Sequence, residues 1–103
     1  MTFRFAKEED CALILRFIRG LAAYEKMSDQ VAATEELLGE WIFEKKKAEV
    51  LFVCEDEKEV GFALFFQNFS TFLGRAGIYL EDLFVQAAFV VKRNADKIGR
   101  AHV

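Results

Sequence analysis

The stretch Ile78-Tyr79-Leu80-Glu81-Asp82-Leu83-Phe84-Val85 places two carboxylates in the middle of an otherwise apolar and aromatic run. Its length and its β-branched and aromatic residues fit a strand better than a helix. Successive residues on a strand point to opposite faces, so Glu81 and Asp82 cannot both turn to the same solvent. At least one is expected in a partly buried setting, where a carboxylate needs either a partner or a task. Burial raises its pKa towards that of a usable base. The alternative from spacing alone is an edge strand with one solvated acid and one salt bridge.

Upstream, Val50-Leu51-Phe52-Val53-Cys54 reads as a strand buried on both sides, and Val60-Gly61-Phe62-Ala63-Leu64-Phe65-Phe66 as its return. The charged segment Glu55 to Glu59 between them is the turn of a hairpin. Ser70 to Arg75, with Gly74, is a second turn, and Ala76 to Val85 the strand that follows. Near the start, Thr2 to Ala6 alternates as a short strand. Lys7-Glu8-Glu9-Asp10 gathers acids where a helix begins, with Asp10 as the expected N-cap. Cys11, Ile14, Leu15, Ile18, Leu21 and Ala22 then recur at helical spacing, predicting an amphipathic helix to about Met27. Gly20 weakens that helix by about 1 kcal/mol relative to alanine and marks a place of close packing. A second helix is expected from Thr34, burying Leu37, Leu38, Trp41 and Ile42. Glu44-Lys45-Lys46-Lys47 reads as a solvated connector. The order β-α-α-β-β-β predicts an α+β fold, a mostly antiparallel sheet with helices packed on it.

The chain has 103 residues, 53% of them apolar and 30% charged, with 12 phenylalanines. This is a globular composition sized for one domain, and the aromatics argue against disorder. Residues 1–85 carry 10 Lys/Arg against 16 Asp/Glu, a net of −6. Such an acidic body is a poor nucleic-acid binder and is compatible with a cationic ligand. No apolar run is long enough to span a bilayer and no signal-like segment opens the chain, so a cytoplasmic protein is expected. Cys11 and Cys54 form no CxxC pattern; two buried free thiols are expected, and no metal.

Three stretches together resemble the GNAT acetyltransferase superfamily, and within it the diamine (spermidine/spermine) acetyltransferase branch. They are Arg4 to Asp10, Leu21-Ala22-Ala23-Tyr24-Glu25-Lys26-Met27, and Val60-Gly61-Phe62-Ala63 with Tyr79-Leu80-Glu81-Asp82-Leu83-Phe84-Val85. The resemblance implies transfer of an acetyl group from acetyl-CoA to a small primary amine, polyamine or lysine-like, by direct attack on the thioester. An alkylammonium must first lose a proton, which calls for a base or a water relay. The resemblance gives that role to Glu81, with Asp82 assisting or fixing the amine. It implies that the backbone of Leu83, Phe84 and Val85 pairs with the pantetheine arm, and that Tyr24, Glu25 and Asp29 line the amine pocket. It also implies a homodimer for the full-length family. A non-enzymatic α+β binding module is the alternative reading.

The resemblance stops at Val85. The family continues with a glycine-rich loop that cradles the pyrophosphate at a helix N-terminus. Here no glycine occurs between Gly77 and Gly99. Residues 1–85 therefore read as the N-terminal part of an acetyltransferase domain. Residues 86–103 read as a frame-shifted or adapter-derived tail, with a divergent natural C-terminus as the rival explanation. On this reading the chain is truncated before the cofactor-binding helix and is expected to be inactive by itself.

Overall fold

The computed structural model describes residues 1–86. Four strands, β1 (Thr2–Phe5), β2 (Glu49–Glu55), β3 (Lys58–Ser70) and β4 (Arg75–Val85), form one antiparallel sheet in the order β1-β2-β3-β4. Helices α1 (Cys11–Tyr24) and α2 (Glu35–Leu38) come between β1 and β2 in the chain, and α2 continues as a wider π-helical turn over Gly39–Glu44. This is the expected α+β layer. The proposed tail begins at Gln86, and the rest of it lies outside the described residues.

The core lies between one sheet face and the helices. Ile14, Phe52 and Phe62 are its fully buried side chains, joined by Leu15, Phe17, Leu38, Ile42, Val50 and both cysteines, which are free thiols. Phe17 is the hub, with ring centroids 6.0 Å from Phe52, 5.8 Å from Phe62 and 6.5 Å from Phe84. A single α1 side chain thus touches β2, β3 and β4. Aromatic contacts of this kind add about 0.5–1.5 kcal/mol each beyond the area they bury.

Several local expectations need correction. Helix α1 stops at Tyr24 rather than Met27, because Lys26 takes a left-handed φ of 59° that a helix cannot continue through. Asp10 stands at the N-cap, but its side chain does not cap the helix. It accepts instead from the Lys7 backbone N–H at 2.7 Å and from the two terminal nitrogens of Arg4 at 2.9 and 3.1 Å. In the second helix the buried stripe is half of the one expected. Leu38 and Ile42 are buried, while Leu37 and Trp41 stay exposed. Thr34 does cap α2, its hydroxyl accepting from the Leu37 N–H at 3.1 Å.

The β2–β3 hairpin turns through Asp56 and Glu57, both with positive φ, the backbone of a two-residue primed turn in which glycine is the usual second residue. The β3–β4 turn uses Gly74, at φ 68°. Gly61 is required for another reason. It sits opposite Val85, and a Cβ there would lie 2.5 Å from the Phe84 carbonyl oxygen and 2.8 Å from the Val85 Cα. The close seam between β3 and β4 depends on this missing methyl.

Candidate amine and thioester site

Strand β4 does not alternate regularly through its acidic pair. Leu64 lies opposite Asp82 and Phe65 opposite Leu80, so Glu81 is the extra residue of a β-bulge. Residues directly across a ladder share a face. Asp82 therefore lies on the face of Leu64, towards the helices, while Leu80 turns to the opposite face with Phe65. A strict alternation would have put Leu80 and Asp82 on one side. The bulge separates them and leaves Glu81 exposed beside a half-buried Asp82. The expectation that at least one acid enters a partly buried setting holds, and that acid is Asp82.

Helix α1 supplies the other wall. Phe84, two residues beyond Asp82 on the same face, packs on Phe17, and a Cβ at Gly20 would stand 3.4 Å from the Phe84 ring. The close packing expected at Gly20 is this contact. It draws the last turn of α1 over β4, and Glu25, the residue capping that helix, acts electrostatically on Asp82. Burial, then the neighbouring Glu81 and then Glu25 push the Asp82 carboxyl up to about 6. No hydrogen bond or ion pair to Asp82 is found among the described residues. Tyr24 is half exposed on the last turn of α1. Asp29 is exposed in a short 3-10 turn, Ser28–Gln30, and is not among the charges that act on Asp82.

The backbone of β4 divides the three residues expected at the thioester. The Gln86 N–H donates to the Val60 carbonyl at 2.8 Å, so Gln86 turns its polar groups towards β3. With the regular register Gly61↔Val85, Phe62↔Phe84 and Ala63↔Leu83, Phe84 does the same. Leu83 and Val85 turn theirs to the outer edge, where β4 has no partner strand among the described residues. These two can accept an added extended ligand, whereas Phe84 contributes through its anchored ring. The bulge, the Phe84–Gly20 contact and Gly61 escaped the sequence reading as site determinants. Gly20 and Gly61 themselves were the available signal, since each is a glycine inside a regular element.

No protein-family model matches the chain. The chain is 42% identical, over 95 residues, to the thialysine N-epsilon-acetyltransferase of Bos taurus, covering 84% of this chain and 55% of that protein. The Sus scrofa counterpart is 44% identical over the same span. The chain thus spans about half the length of the curated relatives it matches. Among solved structures, an aminoglycoside acetyltransferase from an uncultured soil metagenomic sample, in complex with sisomicin, superposes with a TM-score of 0.70 at 18% identity, over 94% of this chain and 63% of that one. A ribosomal-protein-alanine N-acetyltransferase from Brucella melitensis does so with a TM-score of 0.66 at 16% identity, over 95% and 66%. At these identities the structures speak for the fold alone.

Proposed function

Since the chain carries part of the GNAT acetyltransferase fold, we propose that it holds the amine-recognising half of an acetyl-CoA-dependent N-acetyltransferase for a small primary amine, lysine-like or a polyamine. The observation that carries this reading is Asp82: a half-buried carboxylate raised to about 6, with acidic neighbours and no cationic partner among the described residues. A structural ion pair would have supplied the cation from within the fold. A substrate ammonium is the natural complement, and its arrival would draw the Asp82 carboxyl back down.

In this reading Glu81, exposed on the bulge, takes the amine's proton through a water, and Asp82 fixes the ammonium before that loss. Tyr24 and Glu25 face the distal end of the amine, with Asp29 further out. The open edge of β4 at Leu83 and Val85 fits the pantetheine amides as an added strand. Acetyl-CoA supplies the thioester carbonyl that the neutral amine attacks, and an edge N–H is suited to polarising it. The sequence beyond Val85 supplies no glycine-rich cradle for the pyrophosphate. The 103-residue chain is therefore expected to bind amines without acetylating them.

Calorimetry with thialysine, lysine and spermidine tests the amine side, and mass spectrometry of each amine after incubation with acetyl-CoA tests transfer. Amine binding weakened at least fivefold by Asp82→Asn, with no acetylated product, is the expected pattern. Absence of binding to all three amines overturns the amine-site assignment. Product formation would instead overturn the expected inactivity, and Glu81→Gln then reports whether Glu81 handles the proton.

A further inference from the structure

The tri-lysine segment read as a solvated connector borders a cavity of about 670 Å³ between the end of the π-helical turn and the sheet. Ile42, Phe43, Val50 and Phe66 are among its apolar lining, and the exposed Lys46 and Lys47 also line it. Its size is that of a small-molecule pocket, and its lining is mixed, with Lys46, Lys47, Glu49 and Gln67 beside the apolar residues. None of the amine-site residues lines it.

The three lysines are not equivalent. Lys45 is engaged, with its Nζ 2.7 Å from Glu40 and 4.0 Å from the centre of the Trp41 ring. Lys46 and Lys47 have no ion pair among the described residues. Their backbone is fixed: the Lys45 N–H donates to the Glu40 carbonyl at 2.8 Å, and the Lys47 N–H to the Trp41 carbonyl at 2.9 Å. Closing that turn holds Lys46 at a φ of 53°, a left-handed conformation where glycine or asparagine is the comfortable choice. Lys26, Asp56 and Glu57 share this backbone; what sets Lys46 apart is that its exposed side chain lines the pocket. Glu49 also lines the cavity, so the lining carries two positive charges against one negative.

We infer that this cavity binds an amphipathic monoanion, a medium-chain carboxylate whose apolar body lies on Phe43 and Phe66 and whose head pairs with Lys46 and Lys47. This is a second site, with the opposite charge preference from the amine site and independent of that site's assignment. Glu49 sets the competing outcome, an alkylammonium of the same length.

Trp41 is the single tryptophan and immediately precedes the lining residue Ile42 in the chain, without lining the pocket itself, so quenching by a brominated chain is the readout. The test titrates ω-bromodecanoate, ω-bromodecanol and ω-bromodecylammonium into the 103-residue chain, below micelle-forming concentrations. Saturable quenching by the carboxylate is expected, at least fivefold tighter than by the alcohol or the ammonium. The double variant K46A/K47A should weaken it about tenfold, at a few-fold for each exposed pair. Lys46→Gly separates binding from folding. It should weaken the carboxylate a few-fold while leaving the melting temperature unchanged or higher, because the left-handed strain is relieved. Equal quenching by the neutral or cationic chain, unsaturable quenching, or unchanged carboxylate affinity in K46A/K47A would each overturn the assignment.

Discussion

At the start of α1, Asp10 takes hydrogen bonds from both terminal nitrogens of Arg4, whose Nε donates to Glu59 at 3.1 Å while its guanidinium lies 4.8 Å over the Phe52 ring. At the end of the same helix, Glu25 stands near Asp82 and Glu81, and no cation joins them among the described residues. Both regions gather carboxylates where α1 meets the sheet. The first is saturated from within the chain and ties β1, the helix start and β3 together. The second has no internal cation among the described residues, which is the arrangement that the proposed amine site calls for. Their titration differs accordingly. Arg4 holds the Asp10 carboxyl below the ordinary value, whereas burial and its acidic neighbours hold Asp82 above it.

The largest expected effect removes the frame that holds the second cluster. Gly61→Ala pushes a methyl group into the β4 backbone, and denaturant unfolding should show a loss of about 2–3 kcal/mol. A loss below about 0.5 kcal/mol would mean that β4 is not seated as closely as described.

Next comes the saturated cluster. Arg4→Met should cost about 2 kcal/mol at neutral pH, since it strands the partly buried Asp10. The sign of its pH dependence follows from the lowered Asp10 value. The stabilisation is present above the unfolded carboxylate pKa near 3.8 and is lost as pH falls through the lower folded value. Parent and variant should therefore converge in acid, and a constant gap down to pH 2 would contradict the pairing.

The smaller, opposite effect belongs to Asp82. A raised folded pKa stabilises fully below about 3.8, and that contribution is lost as pH rises through about 6. Asp82→Asn should match the parent near pH 3.5 and be more stable at pH 7.5. The gain is on the order of 1 kcal/mol, because partial exposure screens most of the nominal shift. Thermal unfolding at the two pH values checks it, and a destabilised variant at pH 7.5 would show that Asp82 has a partner within the fold.

Period and turn chemistry were enough to read the sheet, because Val50 to Cys54, Val60 to Phe66 and Ala76 to Val85 carry strand signals broken by obvious turns. The acidic pair was visible as an anomaly for the same reason. Which of the two acids is half-buried was not visible. A bulge is a mismatch between two strands, and neither strand's own pattern records it. Lys26 was missed as a helix stop because it takes a left-handed backbone without being glycine. Trp41 and Leu37 were assigned to the core from hydrophobicity, but of the two pairs at four-residue spacing the fold buries only Leu38 and Ile42.

The contrast between the two ends of α1 is tested most directly by carbon-detected NMR titration of the side-chain carboxyls, with and without a saturating diamine. The amine site requires Asp82 to titrate near 6 in the free chain and at least one unit lower with the diamine, while Asp10 does not move. An Asp82 titration unchanged by the diamine, or a shift shared equally by Asp10, would contradict it.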